Sequence, residues 1–235
     1  MSKLAINDEL IQTILLQVGP LVSQATGWNL DLPSLRSRIL PKDHGYEEIL
    51  LGRLHQIGIH GWEEVIPDFL ERMIEYLIEE NTLAAYQSGV GEILVIRENV
   101  DDSNLNGLKL VLAHELVHRS QHMVHGNLFT RVDDLMRQAF LEMKFDTNNI
   151  IKMRFIFEQI QPIMTLLESH AAYIQGLLNQ THFPDARVET HFNIATLLMR
   201  LVEMPKIAQY TDGLPQVIAA ATSGNIEALY AGFGG

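Results

Sequence analysis

The sequence predicts a mainly α-helical fold with a small β component. Through most of the 235 residues, apolar side chains recur at every third or fourth position, which is the spacing of an amphipathic helix. One short run, Ile93-Leu94-Val95-Ile96, is instead typical of a buried strand. With 47% hydrophobic residues, a chain of this length can form one well-buried core. We expect a single domain over residues 1–235, with an N-terminal helical part that contains a short strand (1–92) and a second part made of a strand, a central helix and the C-terminal helices (93–235).

Three segments make up the N-terminal part. The spacing in residues 4–26 predicts a helix that is kinked or broken at Gly19-Pro20, because proline cannot donate the helical hydrogen bond. Residues 28–40 alternate apolar and polar side chains and predict a short strand or an extended linker. Residues 46–88 return to helical spacing, with glycine and proline breaks, and predict two or three short helices.

A central helix follows the 93–96 strand. Asn104 or Asn106 can cap it, and residues 107–125 then run without proline until Gly126 provides a stop. The remaining sequence predicts further helices, one of them interrupted or kinked at Pro162. Their approximate ranges are 130–145, 150–180, 188–204 and 213–230.

The composition excludes several classes of partner and of site. A net charge of −12, from 29 acidic and 17 basic residues, argues against binding to nucleic acid or to an anionic membrane surface. Cysteine is absent, so a metal would have to be bound by histidine and carboxylate ligands. The first ten residues carry two acids and do not resemble a signal peptide, and no apolar run is long enough to span a membrane. We therefore expect a cytoplasmic protein.

The segment His114-Glu115-Leu116-Val117-His118 lies in the middle of the predicted central helix. Residues four apart lie on one helix face, so the imidazoles of His114 and His118 can bind the same ion. Glu115 can reach a water in the open coordination position and act as a general base. The flanking residues are apolar, and burying two histidines and a glutamate without partners would cost several kcal/mol. We therefore predict a Zn²⁺ site.

A third metal ligand is not found farther along the same helix. His122 is eight residues from His114, about 12 Å along the helix axis, which is too far for both to bind one ion. The metzincin pattern is excluded because Gln121 and Val124 occupy the positions of its glycine turn and third histidine. We expect His122 to be a surface histidine or to support one of the metal ligands, and we do not expect His125 to be a ligand either.

Glu168 is the candidate third ligand, because it is the single carboxylate in the strongly apolar segment 164–172. Two histidines and one glutamate leave the fourth position of a zinc ion open, as a catalytic site requires. His170 lies about 200° around the helix from Glu168, so only one of them can face the ion. Thr165 shares the face of Glu168 and can hydrogen-bond its carboxylate. Two alternatives stay open: Glu168 pairs with a basic residue, and His170 is either a support for the ligands or an ordinary core histidine.

Three segments of the chain resemble a family of bacterial zincin-like proteins described as hydrolases associated with deazaflavin-cofactor biosynthesis. The resemblance implies a zincin-like fold with His114, His118 and Glu168 as the metal ligands, and it implies no substrate. Ser169 departs from the pattern, which more often has glycine at that position, and the chain is shorter than expected for the family. The segments are His114-Glu115-Leu116-Val117-His118 with Gln121, Leu166-Leu167-Glu168-Ser169-His170-Ala171, and Lys206-Ile207-Ala208-Gln209-Tyr210-Thr211-Asp212-Gly213.

The third segment contains a candidate catalytic residue. Lys206 and Tyr210 are four residues apart and would share a helix face, so either can donate a hydrogen bond to the oxyanion that forms during attack on a carbonyl. We assign this role to Tyr210. The alternative is a helix end with Gly213 as its C-terminal stop and Lys206 exposed.

These residues predict a zinc-dependent hydrolase that cleaves a peptide or small amide with metal-activated water. A zincin-like module that binds metal and regulates or binds a partner without turnover is the alternative. An intact Glu115 argues against that alternative, because such a module has no use for a general base. A helical protein without metal is the third possibility.

Overall fold

A three-stranded sheet lies at the centre of the fold. The computed structural model of the chain describes residues 6–145, 150–187 and 209–233. The strands are β1 (Arg36–Leu40), β2 (Ala84–Gln87) and β3 (Glu92–Ile96), in the order β1-β3-β2. β1 is parallel to β3, and β2 is antiparallel to it. Residues 28–40, for which the sequence predicts a short strand or an extended linker, contain the strand β1, and the prediction of a strand at 93–96 is confirmed.

The prediction that residues 46–88 are entirely helical between their breaks is wrong at β2. Its sequence, Ala-Ala-Tyr-Gln, contains no β-branched residue, so local propensity does not indicate a strand. Pairing with β3 decides the conformation, and Gly91, with a φ of 68°, allows the turn that joins the two strands. The predicted short helices are present upstream as a π-helical turn (Tyr46–Leu51), α2 (Gly52–Gln56) and α3 (Asp68–Asn81).

Two long helices contain an internal proline without being broken. These are α1 (Asp8–Thr26), with Pro20, and α6 (Ile150–His182), with Pro162. Each proline leaves one carbonyl four residues earlier without its helical hydrogen bond. Leu16 and Glu158, which carry those carbonyls, are exposed together with the prolines, so water can take the place of the missing donor.

The central helix is α4 (Leu105–Val124). It begins where expected, because the side-chain oxygen of Asn104 accepts a hydrogen bond from Gly107 N at 3.0 Å. α5 (Gly126–Phe145) follows directly.

The C-terminal region differs from the prediction at Gly213. This glycine lies inside α7 (Gln209–Thr222), so the alternative in which Gly213 ends a helix is wrong. The chain continues into α8 (Ile226–Ala231), and these two helices replace the single one predicted for 213–230. The helix predicted for 188–204 lies outside the described residues.

The sheet separates two hydrophobic clusters and thereby fixes the position of α4. Ile93 and Val95 on one face of β3 pack in the cluster that contains the buried faces of α1 and α4. Leu94 and Ile96 on the other face pack in the cluster formed with α2, α3, α5 and α6. This alternation follows from the two-residue period of a strand. None of the described helices is both long enough and apolar enough to cross a membrane.

Candidate metal centre

The predicted metal ligands converge between α4 and α6. His114 and His118 lie one turn apart on α4, and their Nε2 atoms are 3.1 Å from each other. Glu168 of α6 approaches both, with Oε2 at 3.4 Å from His114 Nε2 and Oε1 at 3.5 Å from His118 Nε2. The side chains of His114 and Glu168 are only 2% and 7% exposed. The three residues, called the triangle below, therefore bring their donor atoms together at a largely buried position.

The spacing of these donor atoms is compatible with one bound metal ion. A tetrahedral zinc ion with ligands at about 2.0–2.1 Å places neighbouring ligand atoms about 3.3 Å apart. The Nε2 atoms of His114 and His118 lie 3.1 Å apart, close to that value, and Glu168 presents a different oxygen to each histidine, at 3.4 and 3.5 Å. One donor atom from each of the three residues lies within 4.8 Å of the other two. Within the described ranges, no other group of three histidine, aspartate, glutamate or cysteine side chains is arranged so that it can hold a metal ion. The residues present therefore fit a bound metal, and the fit does not identify which metal it is.

Electrostatics within the triangle favour a charged pair. Burial by itself lowers the pKa of His118, but the charge and hydrogen bond of Glu168 outweigh it and raise that pKa to about 9. Burial also acts to raise the pKa of Glu168, and the two histidines together hold it well below its usual range. A negative carboxylate is thus stable in this buried position, as a metal ligand must be.

Glu115 is held in place by the sheet. Its Oε2 accepts a hydrogen bond from the backbone N–H of Tyr86 in β2 at 2.7 Å. Burial raises the pKa of Glu115, and the neighbouring histidines oppose the shift only in part. Glu115 lines the same cavity as His114, His118 and Glu168. The strand that the sequence did not reveal therefore orients the predicted base.

Gln121 determines which nitrogen of His118 faces the triangle. The Nε2 group of Gln121 donates to the backbone carbonyl of Leu167 at 2.8 Å, and a carbonyl can only accept, so the amide orientation is fixed. Its Oε1 then lies 2.8 Å from His118 Nδ1 and must accept a proton from it. With one hydrogen held on Nδ1, the proton that a metal displaces from His118 is the one on Nε2, and the lone pair freed there is directed at the metal position.

Tyr230 of α8 extends this network to His170. Its hydroxyl accepts from Gln121 Nε2 at 2.9 Å and lies 2.8 Å from His170 Nδ1. Burial lowers the pKa of His170 to about 4, so the ring is neutral and Nδ1 can accept the tyrosine proton. His170 is therefore linked to His118 through Tyr230 and Gln121, and its role as a support of the ligands stays a prediction.

His122 and His125 do not belong to the triangle. His122 Nδ1 is 2.9 Å from the hydroxyl of Tyr86. The ring of His125 stacks on Tyr230 with a centroid distance of 4.1 Å, and its Nε2 lies 3.4 Å from Glu227. Both histidines thus have other neighbours.

Thr165 and the third segment are described only in part. Thr165 lies against Gly213, since a Cβ on that glycine would be 2.6 Å from Thr165 Cγ2. Its predicted hydrogen bond to Glu168 stays a prediction. Lys206 lies outside the described residues, and Tyr210 belongs to the first turn of α7 without its side chain being described. The proposed catalytic role of Tyr210 is therefore also still a prediction.

Sequence reasoning missed three residues of the site. Gln121 belongs to the first of the three resembling segments, and its position three residues after His118 on a helix is a signal for contact between the two. Tyr230 and the backbone of Tyr86 left no such signal, because their positions depend on how α8 and β2 pack against α4 and α6.

Comparisons with known proteins bear on the fold. No family model matches the chain, and no curated protein does. A solved structure, described as "a putative hydrolase with a novel fold" from Chloroflexus aurantiacus, is similar with a TM-score of 0.62. The two chains are 16% identical, and the similarity covers 97% of this chain and 84% of that one. At this identity the likeness demonstrates a shared fold, and the zincin-like fold implied by the sequence resemblance stays a prediction.

Proposed function

We propose that the chain is a zinc-dependent hydrolase of the zincin type that cleaves a peptide or another amide. The observation that carries the proposal is the buried triangle of His114, His118 and Glu168, with Glu115 lining the same cavity. In this proposal the first three residues bind the metal and Glu115 is the general base.

The donor set favours zinc and a catalytic rather than structural site. Two imidazoles and one carboxylate are a known catalytic zinc set, and three protein ligands leave a fourth position open. When bound, zinc supplies a Lewis acid that makes water nucleophilic near neutral pH and polarises a carbonyl. Structural zinc sites, in contrast, are usually closed by four protein ligands.

Glu115 is suited to move the proton. Its Oε2 is held by Tyr86 N, so Oε1 is the oxygen available to a water in the cavity. Glu115 takes a proton from that water as it attacks the carbonyl carbon, and then gives the proton to the leaving nitrogen as the carbon–nitrogen bond breaks.

The solved structure of similar fold supports the reaction class. Its description as a hydrolase agrees with hydrolysis, and it says nothing about metal or substrate.

Replacing the base tests the proposal. The zinc-loaded protein and its Glu115→Gln variant are incubated with peptide pools, and the products are followed by mass spectrometry. We expect cleavage by the unmodified chain and none by the variant, while both keep their zinc. Persistent cleavage by the variant, or loss of its zinc, would contradict the role of Glu115. Repeated absence of cleavage by the zinc-loaded chain would favour a binding or regulatory module.

A further inference from the structure

One cavity extends from the metal centre into an apolar part of the protein. This apolar part is called the chamber below, and its walls include Phe129, Val132, Met136, Ile160, Met164 and Leu167. The cavity has a volume of about 240 Å³ and is lined by Glu115 and the three candidate ligands at one side. Most of its remaining lining is apolar. An apolar cavity of about 150 Å³ in another protein holds benzene, so the cavity here, taken as a whole, has room for a group of that size.

Two helical stripes form the wall beside the metal centre. On α5, Phe129, Val132 and Met136 recur at the spacing of one helix face and line the cavity. On α6, Ile160, Met164 and Leu167 do the same and lead directly to Glu168. Two of these six residues are methionines, whose flexible side chains adapt to groups of different shape.

The charged side chains that line the chamber are paired with each other, so the chamber is a poor binding site for an ionised group. Apart from Glu115 and the candidate ligands, the charged residues lining it are Arg53 and Asp133. These two form an ion pair with each other, and their side chains are only 24% and 21% exposed. A substrate carboxylate or ammonium would have to displace that pair or be buried without a partner, which costs several kcal/mol.

We infer that the chamber binds an uncharged apolar group of the substrate, next to the bond that is cleaved, of the size of a leucine, methionine or phenylalanine side chain. This rests on the proposed function, since the metal centre defines where the cleaved bond lies. The same chemistry is presented by an amino-acid side chain or by a short acyl chain. The test therefore includes ligands of both kinds.

Hydroxamates test the inference through binding alone. Their head group binds zinc, so the tail enters the adjoining space, and the zinc-loaded Glu115→Gln variant prevents any turnover. Isothermal titration compares acetohydroxamate with straight-chain alkyl hydroxamates, with the hydroxamates of leucine and phenylalanine, and with a glutarate monohydroxamate. We expect affinity to rise about fourfold for each buried methylene until the chamber is filled. A preference for the alkyl or the amino-acid series identifies the source of the group.

A pair of substitutions, one inside the chamber and one on the surface, tests whether the tail binds in the chamber. Val132→Phe introduces a ring into the cavity wall and should abolish the gain from the tail while acetohydroxamate binds as before. Val90→Phe makes the same change at a side chain that is 54% exposed and should leave the gain intact. If Val132→Phe does not fold, Met136→Trp serves the same purpose.

The outcomes separate this inference from the proposed function. If acetohydroxamate binds and apolar tails add nothing, or if the glutarate tail binds as tightly as the alkyl tails, the inference is wrong while the metal centre stands. If zinc does not load, the proposed function fails, and toluene is titrated into the metal-free protein by NMR. Saturable toluene binding that Val132→Phe removes then supports the chamber, and its absence overturns the inference.

Discussion

His118 Nδ1 is hydrogen-bonded to Gln121 Oε1 at 2.8 Å, while Nε2 of the same ring lies 3.5 Å from Glu168. Nδ1 thus holds the ring in place through its hydrogen bond to Gln121, and Nε2 faces the metal position. We expect Gln121→Leu to weaken zinc affinity about 10- to 100-fold, the usual effect of removing a partner behind a metal-binding histidine. Competition with a fluorescent zinc chelator measures it.

Gln138→Leu is the matched control, because it makes the same substitution at an exposed position of α5. It should leave zinc affinity unchanged. Equal affinities for the two variants would mean that Gln121 does not orient His118.

Tyr230→Phe tests the next member of the network. The substitution removes the hydroxyl that Gln121 Nε2 donates to and that His170 Nδ1 accepts from. Because both partners are buried, we expect the free energy of unfolding to fall by about 1–3 kcal/mol. Urea denaturation measures it, with Tyr76→Phe as the control at a side chain that is 62% exposed. If the free energy of unfolding falls no further in Tyr230→Phe than in Tyr76→Phe, the hydroxyl of Tyr230 does not stabilise the fold.

Gly213→Ala tests how closely α7 packs on α6. A Cβ at this position would lie 2.3 Å from Ser169 Oγ and 2.6 Å from Thr165 Cγ2. Both are closer than van der Waals contact, so we expect a loss of about 1–3 kcal/mol of stability. Gly213 lies against Ser169, which precedes His170 in α6. A displacement of α6 caused by the added methyl group can therefore also move His170.

Gly176→Ala is the matched control with the opposite sign. Gly176 lies within α6, and a Cβ there meets nothing within 4 Å. Alanine is the better helix former by up to about 1 kcal/mol, so this variant should be more stable than the unmodified protein. Thermal unfolding of both variants in parallel decides the point, and destabilisation by Gly176→Ala alone would contradict the packing described for α6 and α7.

The parts of the site that lie on one helix turn could be predicted from the sequence. The four-residue spacing of His114 and His118 is local information, and Glu168 was identifiable as a carboxylate in an apolar helix segment. Both inferences use the same physical argument: polar and charged side chains within an apolar helix segment are costly to bury unless they have a partner, and such side chains can be recognised in the sequence.

The remaining features depend on tertiary structure. β2 carries no strand signal of its own and forms because β3 offers it hydrogen bonds. Gly213 has the character of a helix stop, yet it lies inside α7, where its missing side chain allows contact with α6. Pro20 and Pro162 look like helix breaks and are tolerated because the carbonyls they leave unpaired belong to exposed residues.

Zinc content measured by mass spectrometry tests the central claim most directly. The protein is purified without an affinity tag, stripped with chelator, reloaded and dialysed, beside the Glu115→Gln and His118→Ala variants. We predict one tightly bound zinc ion per chain in the unmodified protein and in Glu115→Gln, and its loss in His118→Ala. Substoichiometric zinc that does not reload, or zinc that His118→Ala retains in full, would contradict a metal centre formed by His114, His118 and Glu168.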